Sequence, residues 1–188
     1  MTFGYDFDEQ LKKSKEYEGS MNTIYRNYFQ NVAGIKQIER VDDMCRQRGG
    51  VDALITLDSG EHIVAQEKRR YIEFKGDFLI EYCSVWRDGD CKSPGWIYTI
   101  DADYIFTVYE KSSLVKIYPV VQLKIAWDTN CHKWTDPRVY LNGRSETYPR
   151  RGLRGYETLW CAVPCAELEQ EILKTMRFDF QQKICDDV

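Results

Sequence analysis

Apolar positions recur along this chain with two different periods, and the changes of period mark its elements. Residues 8–18 (DEQLKKSKEYE) predict a short, mostly solvated helix that stops at Gly19. Ser20 reads as the N-cap of a second helix, in which Met21, Ile24, Tyr25, Tyr28, Phe29 and Val32 form one apolar stripe at i, i+3 and i+4 spacing. Gly34 ends it, and IKQIERV (35–41) predicts the first strand. A polar segment, 42–50, leads into two alternating runs around Asp58-Ser59-Gly60. Beyond them DFLIEYCSVW (77–86) predicts a strand, 87–95 a loop, and WIYT with ADYIFTVYE (96–110) a hairpin. VKIYPVVQLKIAW (115–127) mixes a helix-opening Pro119 with β-branched residues, and the helix is preferred. Residues 128–155 read as a basic loop region, YETLWCAVP (156–164) as a strand, and Pro164 opens a last helix, CAELEQEILKTM. No internal repeat or domain boundary stands out, so the expectation is one domain over 1–188, with 1–19 as a helical extension.

Asp58-Ser59-Gly60 suits a three-residue loop closed by glycine in the left-handed conformation, which pairs Leu57 with Glu61. That register places Asp52 opposite Gln66, with Lys68 on the same side. Val51, Ala53, Ile55, Ile63 and Ala65 then share the other face. A two-residue Ser-Gly loop would put Asp52 opposite Glu67, but its sequence fits neither primed turn.

Composition narrows the chemistry. A net charge of −4 argues against coating nucleic acid by bulk charge, so any such site must be a local patch. Lys68-Arg69-Arg70 is one candidate, and Arg144, Arg150, Arg151 and Arg154 are another. The chain has no apolar run of about 18 residues and no signal-like start, so the expectation is a cytoplasmic protein without a membrane span. Seven irregularly spaced cysteines suggest reduced thiols rather than a disulfide framework. Cys131-His132 with Cys83 and Cys91 lacks the C-x-x-C spacing of a zinc site. Cys161 and Cys165 read as buried thiols.

An aspartate, an amide oxygen and a lysine on rigid strands suit a hard divalent cation beside a phosphate. Magnesium takes oxygen ligands and keeps several waters, so few protein groups suffice. The plain alternative is a polar strand face with no function.

The order helix, strand, strand with Asp, strand with acid-x-Lys resembles the PD-(D/E)xK, or restriction-endonuclease-like, nuclease superfamily. The likeness covers 20–70: Gln47 and Gly50 ahead of Val51-Asp52, the turn Asp58-Ser59-Gly60, and Gln66-Glu67-Lys68-Arg69-Arg70. It implies an α/β fold with an αβββαβ core, a central mixed sheet flanked by helices, and added strands after the core hairpin. It also implies hydrolysis of phosphodiester bonds in nucleic acid, with DNA as the expected partner, using Mg2+ or Mn2+, in some members as a homodimer. Asp52, Gln66 and Lys68 would be the catalytic set, with Asp52, Gln66 and the Glu67 carbonyl on the metal. Arg69, Arg70, Arg144, Arg150, Arg151 and Arg154 would contact the nucleic acid. Valine precedes Asp52 here, and Gln66 stands where the family has an acid. A neutral amide weakens cation binding, so Glu67 through a bulge, or Glu16, Glu18, Glu39 or Glu81, could restore the charge. Loss of catalysis with binding retained is the other outcome.

Overall fold

The structure, a computed structural model, describes residues 7–30, 33–43, 49–70, 76–147 and 155–185, with side chains left out for 7–14, 146–147 and 177–185. It is a mixed α/β protein. Its elements in chain order are α1 (Phe7–Phe29), β1 (Ile35–Arg40), β2 (Ala53–Leu57), β3 (His62–Arg70), β4 (Asp77–Arg87), β5 (Asp90–Pro94), α2 (Trp96–Thr99), β6 (Tyr104–Tyr109), β7 (Leu114–Pro119), α3 (Val120–Trp134), β8 (Leu141–Thr147), β9 (Tyr156–Pro164) and α4 (Cys165–Cys185). The chain divides into two compact units, Met1–Arg40 with Ala53–Ile63, and Val41–Asp52 with Val64–Val188. Among the described residues no helix is long and apolar enough to cross a membrane.

In the first unit α1 runs unbroken through Gly19, where a break was expected. Ser20 caps nothing: its Oγ donates back to the Glu16 carbonyl at 3.1 Å, as a mid-helix serine can. A glycine inside a helix costs about 1 kcal/mol. Burial of Met21, Tyr25 and Phe29 one turn apart outweighs that, whereas Tyr28 is exposed and Val32 lies outside the described residues. β1 and β2 pair antiparallel. Arg40 ties β1 to the helix through the Glu18 carbonyl at 2.9 Å and Asn22 Oδ1 at 3.0 Å. The turn after β2 follows the sequence reading: Leu57 N–H donates to the Glu61 carbonyl, and Gly60 has φ +87°.

The second unit holds the larger core. β3 pairs parallel with β6, and β6 antiparallel with β7; a separate four-stranded sheet has the order β5-β4-β9-β8. Phe78, Ile80, Ile105, Trp127, Trp134, Val163 and Leu168 are buried together in its core. WIYT is not a strand but the single turn α2, because Ile97 and Ile100, three apart, both enter the core. Residues 115–127 split at Pro119: Leu114–Pro119 pairs with β6, and the helix begins only at Val120. The β-branched half obeyed its strand propensity, and proline closed it. The stretch 87–95 is a turn followed by β5, and within 128–155 α3 continues to Trp134 and β8 pairs along β9. Cys83 and Cys91 form a disulfide between β4 and β5, against the expectation of reduced thiols. Cys161 and Cys165 are buried as expected, and burial pushes the Cys161 thiol up to about 12.

Candidate functional site

β3 lies beside β6 in the second unit, and parallel pairing sets Lys68 beside Thr107 and Arg70 beside Tyr109. Gln66, Lys68 and Arg70 share one face by strand alternation. The segment before β2 reaches the same place by a hydrogen bond: Asp52 Oδ2 accepts from the Glu67 N–H at 2.7 Å. The expected pairing of Asp52 with Gln66 needs correction. Asp52 N–H donates to the Ala65 carbonyl at 2.9 Å, one residue short, so the register slips between the turn and this point. Asp52 also lies ahead of β2 rather than within it. Gly50, at φ +73°, turns the chain just before; a methyl group there would overlap the Gln66 amide.

Lys68 is the centre of the arrangement. Burial lowers its pKa, and the carboxylates of Asp52 and then Glu81 act against that shift. Its ammonium stands 5.2 Å from the centre of the Trp96 ring, a cation–π distance. Glu81, on β4, takes a hydrogen bond from Ser84. Gln66 is only 4% exposed, and its Oε1 has no hydrogen-bond partner among the described residues. A buried acceptor left open in this way is costly and calls for a partner.

Whether these groups fit a divalent cation can be judged from the donors. Among the described residues no three Asp, Glu, His or Cys side chains gather at metal-binding spacing. Two carboxylates near Lys68 and the open Gln66 oxygen fit an ion that keeps most of its waters and shares substrate oxygens. They do not make a cage that holds one unaided. The Glu67 main chain contributes through its N–H, which holds Asp52.

The same face opens into a cleft of about 350 Å3, lined by Lys68, Arg70, Glu81, Trp96, Thr107 and Trp160 among others. Arg70 is half-buried, burial lowers its pKa, and its Nε has no hydrogen-bond acceptor among the described residues. Arg69 also borders the cleft but pairs with Glu110. Arg144 pairs with Glu157 across β8 and β9 at 3.0 Å. Arg150, Arg151, Arg154 and Gln47 lie outside the described residues.

Sequence reasoning included Glu81 among possible acids but missed Thr107, Trp96 and Trp160. Thr107 left one trace, a lone hydroxyl inside the apolar run YIFTVY. No local pattern brings the two tryptophans to this cleft; that follows from packing between distant segments. No family model, curated protein or solved structure matches this chain, which leaves the residues around Lys68 as the ground for a functional reading.

Proposed function

We propose that this protein is a metal-dependent phosphodiesterase acting on nucleic acid, with DNA as the first substrate to try. The observation that supports it best is Lys68, a half-buried ammonium under the influence of Asp52 and Glu81 at the edge of a cleft that also presents Arg70. Asp52, Glu81, Gln66 and the Glu67 carbonyl are the groups that would hold Mg2+ or Mn2+. When bound, the ion would supply Lewis-acid polarisation of the phosphate and a more acidic water. The Glu67 N–H keeps Asp52 oriented. Lys68 is suited to orient the attacking water or to offset charge developing on the phosphate, and low local polarity strengthens that effect.

Incubation with labelled duplex and single-stranded DNA in Mg2+ or Mn2+ should give cleavage that a chelator stops. Asp52→Ala or Lys68→Ala should lower it by about 100-fold or more. Cleavage at the unmodified rate in either variant overturns the assignment of these residues.

A second reading is a non-cleaving protein of similar build that binds nucleic acid or a protein partner. It is favoured by the buried, uncharged Gln66. Gln66→Glu separates the two. Under the first reading the added charge tightens Mn2+ binding by about tenfold, some 1.4 kcal/mol. Absence of Mn2+ binding in both forms selects the second.

A further inference from the structure

The cleft beside Lys68 has features that holding a cation does not require. Thr107 is 2% exposed, lines the cleft, and its hydroxyl has no hydrogen-bond partner among the described residues. Arg70 lines the same space with its Nε also open. A buried hydroxyl and a guanidinium Nε–H, both without an acceptor among the described residues, are complementary to an oxyanion with several lone pairs. Aromatic walls complete the cavity. Trp96 packs edge-on against Phe78 at 6.0 Å between ring centres. Trp160 is anchored through its indole N–H, which donates to Ser145 Oγ at 3.1 Å, while its ring lies over Gly143 on the neighbouring strand. Anchoring by the edge leaves indole face for stacking. The volume, about 350 Å3, falls at the lower end of small-molecule sites, roughly 300–1,000 Å3.

We propose that this cleft is a nucleotide subsite: the phosphate of a nucleoside monophosphate rests on Arg70 and Thr107, and the base lies against Trp160. The ligand is either a free nucleotide or the phosphorylated end of a strand. The proposal deepens the phosphodiesterase reading, since the cleft adjoins Lys68, but binding itself needs no metal and no cleavage.

The test is therefore run with a chelator present, following tryptophan emission as the full chain is titrated with AMP, adenosine, inorganic phosphate and an oligonucleotide with or without a 5′-phosphate. AMP should bind more tightly than adenosine or phosphate. Arg70→Gln should weaken AMP by about tenfold or more, and the nearly isosteric Thr107→Val by roughly threefold, with adenosine unchanged. Trp160→Phe should remove much of the emission change. Preference for the phosphorylated oligonucleotide over its 5′-hydroxyl twin identifies a strand end as the occupant; AMP binding without that preference identifies a free nucleotide, and both uphold the subsite. AMP that fails to bind at millimolar concentration, or that binds Arg70→Gln and Thr107→Val as tightly as the parent, overturns it. Nucleotide binding by a protein that never cleaves would refute the enzyme while leaving the subsite standing.

Discussion

Two groups of charged and aromatic side chains in the second unit invite comparison. Around Glu167, at the start of α4, every principal partner is in place. Lys133 donates at 2.7 Å, the Trp134 indole at 2.9 Å, and the Tyr140 hydroxyl at 2.7 Å. Around Lys68 a lysine again meets carboxylates and an indole, yet Gln66 Oε1, Thr107 Oγ1 and Arg70 Nε lack partners among the described residues. The first group closes on itself and joins α3, α4 and the segment before β8. The second recovers only part of its desolvation among the described residues, a pattern typical of sites prepared for a ligand.

The sharpest way to break this contrast is Lys68→Met. If the group serves chemistry, cleavage falls by about 100-fold or more while the melting temperature holds or rises, because an incompletely compensated buried cation is removed. A large loss of thermal stability would instead make Lys68 structural. Glu167→Ala should do the reverse. It leaves three donors without their carboxylate and should lower stability by about 2 kcal/mol in chemical denaturation, with cleavage by the folded fraction unchanged.

Acid distinguishes the Glu167 group further. Burial pushes the Glu167 pKa up, but hydrogen bonds from Lys133, Trp134 and Tyr140 outweigh it, so the net shift is below the ordinary 4.5. A carboxyl with a depressed folded pKa adds stability that is complete above its unfolded value and disappears as pH falls through the folded one. Unfolding followed from pH 6 downwards should therefore show a loss below about 4.5 that Glu167→Gln lacks. A parallel curve in the variant would remove Glu167 from the account. The smallest expected effect is at Gln66. In Gln66→Glu, a carboxylate enters a 4% exposed position on the face shared with Lys68, so stability without metal should fall by about 1 kcal/mol and rise measurably once Mn2+ is added.

How much of this was readable beforehand differs between the two segments that meet at the site. The alternation of Ile63 and Ala65 with Gln66 and Lys68 is local, and both the turn and the face of β3 followed from it. The position of Asp52 did not. It depends on a register slip beside a positive-φ glycine, which hydrophobic pattern does not record. Thr107, Trp96 and Trp160 belong to three other elements: pairing with β6 sets Thr107 beside Lys68, and packing between distant segments brings the two tryptophans to the same cleft. The helix break expected at Gly19 failed for a related reason: local propensity yielded to burial of Met21, Tyr25 and Phe29.

The missing side chain at position 143 has a consequence of its own. Its backbone is ordinary strand paired to Trp160, so the position has no conformational need for glycine; what occupies the vacant place is the indole. One wall of the nucleotide-sized opening is thus positioned by a single hydrogen atom. Alanine at 143 would tilt that wall, resizing the aperture while every charge around it stays where it was.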